Sequence, residues 1–369
     1  MRHTLPVPKI HLSYQWLPDA DSHSATASPL HHPLMDLLQA VRDSGSISMA
    51  AKRLGLSYRH VWGELKRWEQ QLDQALIVWE KGQAARLTEF ADKLLWAERQ
   101  AQARLAPQIS ALQAELEKTF AMAFDANSHV LTLYASHDDA LVRLREHAAS
   151  RGLHLDIRFC GSVDAIRALN EGRCVVAGFH APARPAADSH MARTYRPLLQ
   201  TGRHKLIGFA RRTQGLMTAK GNPKGLTSLQ DLSRPGVRMV NRPLGTGTRL
   251  LLDQLLQSTG LSSASLVGYE QEEPSHAAVA HAIASGAADA GLGIESAART
   301  FGLDFVPLMQ EQYWLVCLSS ALETPAVQQL RARLSSEDWA SDIHRLPGYA
   351  LDTGCGQVHS LKRTLPWWD

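Results

Sequence analysis

Apolar positions between Pro33 and Leu116 fall at helical spacing, and from Ser128 onward they gather into short blocks that alternate with helical ones. In the first part, Pro33–Val41 (PLMDLLQAV) predicts an amphipathic helix. Ser46 or Ser48 caps a second helix through Met49–Leu54, where Ala50 and Ala51 leave room for a close crossing before Gly55 ends it. Ser57 caps a third, with Val61, Leu65 and Trp68 on its inner face. Residues 75–88 (ALIVWEKGQAARLT) predict two short strands around Lys81-Gly82-Gln83. From Thr88 an Ala-, Leu-, Gln- and Glu-rich stretch carries the stripe Leu94, Leu95, Ala101, Leu105, Ile109, Leu112 and Leu116, a long helix that Pro107 is expected to kink or split in two.

In the second part the strands VLTLYAS (from Val130), LDIRFCG (from Leu155) and CVVAGFH (from Cys174) enclose helices at Asp138–Ser150 and Val163–Asn170, a βαβαβ unit with a parallel sheet. After a Pro/Ala-rich loop, KLIGFARR, VRMVN and ADAGLGI alternate with helices from Thr248 and His276. The strand pieces LDFVPL and YWLVCLS and a last helix near Pro325–Leu334 follow. The predicted fold class is α/β multidomain: residues 1–30 an extension, 31–88 a winged helix, 89–125 a linker and dimerisation helix, 126–345 a two-lobed α/β domain, and 346–369 a tail.

Two short helices around a glycine turn, the second basic and aromatic, suit duplex DNA. Arg59 and His60, near the start of that helix, are placed for base edges, while Lys81 at the hairpin tip and Arg86 on its return strand are placed for phosphates; Lys66 and Arg67 add to the DNA-binding face of the helix. An ordinary three-helix unit with a solvated basic face is the plainer alternative. The segment AAKRLGLSYRHVWGELKRWEQQL with VWEKGQAARLTEFADKLL resembles the winged helix of LysR-type and molybdate-responsive ModE-type regulators. That resemblance implies that Ser57, Tyr58, Arg59, His60 and Lys66 meet a double-stranded operator, and that the helix after the wing joins a homodimer or higher oligomer.

In α/β lobes, ligand groups lie past strand C-termini, at helix N-termini that favour anions. Ser136-His137-Asp138 and Gly161-Ser162 occupy two such positions. Gly245-Thr246-Gly247-Thr248, flanked by Arg242 and Arg249, occupies a third and lacks the Lys of a nucleotide P-loop; a glycine-rich helix cap is its plainer reading. His276 and Tyr313 are further candidates, and Asp289 reads as structural. RPLGTGTR resembles the anion-binding loop of phosphate and tungstate binding proteins. MVNRPLGTGTRLLLDQLL, GYEQEEPSHAAVAHAIASGAADAGLGIESAA and LDFVPLMQEQYWLV look like the type II periplasmic-binding-protein-like (PBP-like) domain of molybdate-linked regulators and molybdenum-cofactor proteins. The resemblance implies a small-anion effector, with molybdate or tungstate favoured. If Arg242 or Arg249 enters the cleft, formate, another small carboxylate or a molybdopterin-type cofactor suits as well.

The chain of 369 residues has a net charge of only +3, so nucleic-acid contact must come from local clustering. Cys160, Cys174, Cys317 and Cys355 lack CxxC spacing, which argues for a reducing cytoplasm and against zinc or a disulfide scaffold. The 17 histidines show no HExxH spacing, and no apolar run reaches the ~20 residues of a membrane span. No metal, cofactor or membrane partner is expected. An enzyme using His137, Asp138 and His276 as acid and base, or a cargo module, remains an alternative, though no GxSxG nucleophile motif is present. Lys9–Leu17 alternates like a strand, and Pro366–Asp369 is available to dock on a neighbouring surface.

Overall fold

The computed structural model describes residues 32–78, 84–124, 129–182 and 186–368. The expected strand at 9–17 and Lys81 lie outside them. Helix α1 (Pro33–Ser44) opens on a proline, where the missing N–H has no helical partner to lose, and closes on Gly45 at φ 61°. Of the two candidate caps for α2 (Ile47–Arg53), Ser46 is the one used, accepting from the Met49 N–H. Ser57 caps α3 (Tyr58–Leu72) by accepting from the His60 N–H at 3.1 Å. Leu38, Val41, Ala50, Val61 and Leu65 are buried together, giving these helices a core of their own. Trp68 is half-buried, with His32 against its ring. Strands β1 (Ile77–Val78) and β2 (Arg86–Leu87) pair antiparallel, and the Glu69 carboxylate accepts from the Leu76 and Ile77 amides, fastening the hairpin to α3.

Helix α4 (Glu89–Phe124) has 36 residues, roughly 54 Å at 1.5 Å per residue. Its first turns, through Ala91 and Leu95, complete the N-terminal core. Pro107 does not split it: the helix is continuous through that position. A proline has no N–H to give the carbonyl four residues earlier, and that carbonyl, of Ala103, accepts instead from the Ser275 hydroxyl at 3.0 Å.

The second domain alternates strand and helix: β3 (His129–Ala135), α5 (Asp139–Ala149), β4 (Leu153–Phe159), α6 (Ser162–Asn170), β5 (Val176–Pro182), α7 (His190–Tyr195), β6 (His204–Thr218), β7 (Met239–Val240), α8 (Gly247–Thr259), α9 (His276–Ala284), β8 (Ala290–Ile294), α10 (Glu295–Thr300), β9 (Asp304–Leu318), α11 (Pro325–Leu334), α12 (Glu337–His344), β10 (Tyr349–Leu351), β11 (Val358–Ser360) and α13 (Leu361–Thr364). One nine-stranded sheet runs β4-β3-β5-β9-β6-β8-β7, with β10 and β11 also paired to β6. Strands β3, β4 and β5 are parallel, while β6 and β9 are antiparallel partners from His204–Leu318 to Thr218–Asp304. The pieces LDFVPL and YWLVCLS are therefore one strand. The polar stretch Gln310-Glu311-Gln312 between them marks where β9 crosses from one lobe to the other, not a break.

Alternation along these strands separates two cores, one on each face of the sheet. Ile207, Phe209, Tyr313 and Leu315 face α5, α9, α10, α11 and α12; Leu206, Leu216, Trp314 and Val316 face α6, α7, α8 and α13. The expected tail from residue 346 is part of this domain, since β10 and β11 extend the sheet and Trp367, 1% exposed, stacks on Tyr195 at 6.0 Å. A large apolar ring at the end of a chain gains by filling a core, which a count of turn residues does not reveal.

Candidate DNA face and anion cleft

Helix α3 shows one face to its core and the other to solvent. Ser57, Tyr58, Arg59, His60, Lys66 and Arg67 are all exposed, as is Arg86 on β2. Tyr58 stacks on Trp62 with 6.5 Å between ring centroids, and the Lys66 ammonium sits 4.8 Å over the Trp62 ring, so residues four apart build an aromatic ladder ending in a cation. Lys66 also pairs with Glu69 at 2.6 Å, and Arg67 pairs with Glu64. Arg59 is exposed and has no ion pair among the described residues.

Strands β3–β5 with α5 and α6 form lobe I; β7 and β8 with α8 and α9 form lobe II; β6 and β9 connect them. The lobes meet at the starts of α6 and α8. The Gly245 carbonyl accepts from the Val163 N–H at 3.3 Å, and a Cβ on Gly161 would stand 2.9 Å from that carbonyl oxygen. Behind this contact, Ser136 and Ser162 bring their hydroxyls to 3.4 Å of each other. A Cβ on Gly247 would stand 3.3 Å from the His180 ring, and His180 lies against Tyr313 with centroids 3.8 Å apart.

The surroundings of this contact hold polar atoms without partners. Both His180 ring nitrogens, the Tyr313 hydroxyl, His276 Nδ1 and Arg242 Nε are buried without a hydrogen-bond partner, while the Tyr195 hydroxyl lies beside Ser162. Buried polar groups are ordinarily satisfied, which makes these residues candidates for contact with a ligand. Arg242 is 3% exposed and reaches only the Glu273 carbonyl, through Nη1 at 3.2 Å; no carboxylate pairs with it among the described residues. Burial, and then the charge of Arg212, lower its pKa to about 9. Burial and the Arg242 charge lower His137 to about 4, and burial with both guanidinium charges holds His180 and His276 well below the usual histidine value. Three imidazoles whose charged form is disfavoured thus stand near a buried cation that has no carboxylate partner among the described residues.

Arg212, absent from the candidates read from sequence, is the opposite case. It pairs with both Asp138 and Glu311, each fully buried. Burial opposes its charge, but Glu311 and Asp138 override that and raise its pKa. Gln214 donates to Glu311 Oε1 and to the Thr248 hydroxyl, both at 3.0 Å, leaving the Thr248 proton available. His180, Tyr195, Arg212, Gln214 and Glu311 escaped sequence reasoning; their signal was polarity at inward-facing positions of otherwise apolar strands and helices.

Other candidates are engaged elsewhere. Arg249 pairs with Asp253 at 3.3 Å and Glu272 at 3.2 Å and lies over the Tyr269 ring, so its charge is already neutralised. Thr246 caps α8, donating to the Pro243 carbonyl and accepting from the Arg249 N–H. Asp138, offered above as a possible acid or base, caps α5 and is held by Arg212 and Tyr349. His137 packs against Phe159 with ring centroids 4.7 Å apart. Among the described residues no three His, Cys, Asp or Glu side chains gather as metal ligands, and no helix is long and apolar enough to cross a membrane.

Residues 33–92 match the bacterial regulatory helix-turn-helix protein of the lysR family, and residues 144–335 match the PBP superfamily domain. Protein YvgK of Bacillus subtilis is 34% identical over 193 residues, covering 52% of this chain and 61% of its own. Molybdate-binding protein ModA of Mycobacterium tuberculosis is 31% identical over 173 residues, covering 45% of this chain and 60% of its own. The chain thus spans 61% and 60% of the lengths of these two relatives. Among solved structures, full-length CbnR in complex with its target DNA is 15% identical, with 81% of this chain and 96% of that one covered and a TM-score of 0.41.

Proposed function

The chain belongs to the PBP superfamily and carries a LysR-type regulatory helix-turn-helix ahead of that domain, and from this premise we propose that it is a cytoplasmic DNA-binding transcriptional regulator whose two lobes close on a small oxyanion, molybdate or tungstate. The observation that carries the anion is Arg242, a buried guanidinium with no carboxylate. An uncompensated buried charge is costly, and an anionic ligand removes that cost. Ser136, Ser162, Thr248 and the amides at the start of α8, with Gly245 and Gly247 allowing close approach, supply the donors an oxyanion needs. His276, Tyr313 and His180 line the same space. The similarity to a molybdate-binding protein supports molybdate or tungstate over other tetrahedral anions.

A second reading, a carboxylate such as formate or a molybdopterin-type cofactor, is favoured by the same Arg242, whose planar fork suits two-point recognition. Thermal denaturation of the full chain with sodium molybdate, tungstate, sulfate, phosphate and formate separates them. A ligand at about one hundred times its Kd stabilises by about 2.7 kcal/mol. Molybdate or tungstate raising Tm supports the first reading, formate alone the second, and no shift with any of them removes the anion.

On the DNA side, Ser57, Tyr58, Arg59 and His60 address base edges and Lys66, Arg67 and Arg86 address phosphates. Leu105 and Leu112, 41% and 58% exposed on α4, support a homodimer through that helix. Arg59→Ala is expected to weaken binding to duplexes selected from a random pool by about tenfold or more.

A further inference from the structure

The loop 271–276 has one side in the cleft and the other on α4. On the cleft side the Glu273 carbonyl accepts from Arg242, the Glu273 N–H donates to the Asn241 carbonyl at 2.9 Å, and the Asn241 N–H donates to Gln271 at 2.8 Å. The loop ends at Ser275, which caps α9 and so sets the position of His276, the first residue of that helix and a wall of the cleft. On the other side the Glu273 carboxylate receives Arg104 of α4 in two contacts, 2.7 and 3.1 Å, and the Ser275 hydroxyl donates to the Ala103 carbonyl. Glu273 therefore gives its main chain to the cleft and its side chain to the linker helix.

The acceptor on α4 is not an arbitrary one. Ala103 stands four residues before Pro107, whose nitrogen carries no hydrogen, so this mid-helix carbonyl lacks its ordinary partner and is open to Ser275. We infer that Pro107, Ala103 and Arg104 form a catch on the loop 271–276, through which occupation of the cleft changes the hold of the effector domain on the linker helix. The inference rests on the anion reading for its trigger. An anion on Arg242 competes with the Glu273 carbonyl for the guanidinium, and the loop it releases is the one that grips α4. Coupling through such a two-sided element changes DNA affinity only as far as the anion distinguishes the gripped from the released loop.

Hydrogen exchange on the full chain tests the catch, using wild type and Pro107→Ala, each with and without sodium molybdate. Pro107→Ala restores the N–H that Ala103 lacks and favours the helix, so folding is not at risk. Without molybdate, the variant is expected to exchange roughly two- to tenfold faster across 271–279, because the restored N–H competes with the Ser275 hydroxyl for the Ala103 carbonyl and weakens that hydrogen bond. Arg104→Gln should do the same, and the pair Arg104→Glu with Glu273→Arg should restore protection. Unchanged exchange in both single variants overturns the catch, whatever the ligand does. With molybdate, wild type should change its exchange across 100–108 at least threefold, and Pro107→Ala should change it only in the cleft. A wild-type response confined to the cleft overturns the coupling. Absence of any molybdate response defeats molybdate as the effector, while the ligand-free comparison still decides whether the catch exists.

Discussion

Two buried guanidinium groups stand near one another in the effector domain and differ in what surrounds them. On the strands that join the lobes, Arg212 has a carboxylate on each side, a tyrosine hydroxyl on one of those carboxylates and a glutamine on the other. In the turn after β7, Arg242 has a single backbone carbonyl and an Nε without any partner. The first region is complete within the protein. The second is left without a counter-charge, and with burial and the nearby charge of Arg212 both opposing its own charge, it is the one that the proposed anion would balance. A buried charge therefore indicates structure or binding according to its partners, not its depth.

The largest test of this contrast is Arg212→Met. It strands Asp138 and Glu311 together in the interior, and removing one member of a buried pair costs about 3–5 kcal/mol. A marked fall in Tm is expected, partly relieved by the further change Glu311→Gln. A loss below about 1 kcal/mol would show that the ion network is not what holds the strands between the lobes.

How visible each region is in the amino-acid sequence follows from the distance over which it is assembled. The helix-turn-helix was legible because Ser46, Gly55, Ser57, Val61 and Leu65 act within a few turns of each other, through caps and a repeat of three and four. The start of α8 was legible for the same reason, its glycines and threonines lying in one turn. Which arginine faced the cleft was not: the carboxylates that neutralise Arg249 come from Asp253 and Glu272, and only folding brings the second to it. Arg212 meets Asp138 across 74 residues and Glu311 across 99, a pairing set by the register of β6 on β9. That the helix continues through Pro107 instead of splitting there was not legible, because the Ala103 carbonyl finds its donor, Ser275, in another domain.

Acid separates the two regions next. His137 has its pKa lowered from 6.5 to about 4, so between those values the unfolded chain binds a proton that the folded chain refuses. Stability present above pH 6.5 is lost as the pH falls, by up to about 3 kcal/mol from this group before it levels off near pH 4. His180 and His276 act in the same direction. An anion bound beside them favours their protonated forms, so calorimetry in buffers of different ionisation enthalpy should show proton uptake on molybdate binding near pH 5.5. His137→Asn should flatten part of the acid loss, and an unchanged profile would place its origin outside the cleft.

Closure itself is testable with a smaller change. Gly161 touches the Gly245 carbonyl so closely that an added methyl, 2.9 Å from that oxygen, forces backbone apart. Gly161→Ala is expected to weaken anion binding about tenfold by calorimetry while leaving Arg212 and its partners in place, and so to shift Tm by little without ligand. Equal losses in both would mean that this contact supports the domain and not closure upon a ligand.

The smallest expected change in stability is also the most discriminating. Arg242→Met removes a buried charge that has no counter-charge to strand, and replacing buried ionic groups by apolar ones of similar volume is often neutral or stabilising. Tm without ligand should therefore stay the same or rise, by the equivalent of about 0–2 kcal/mol, where the same substitution at Arg212 lowers it. The stabilisation by molybdate, tungstate or formate should disappear, because the cation that balanced the ligand is gone. Loss of stability at both arginines would mean that Arg242 holds the loop 271–276 more than it awaits an anion, through the Glu273 carbonyl alone. Retained anion binding in Arg242→Met would move the site to the neutral donors at Ser136, Ser162 and the start of α8, the arrangement suited to a metal oxyanion held without a counter-charge.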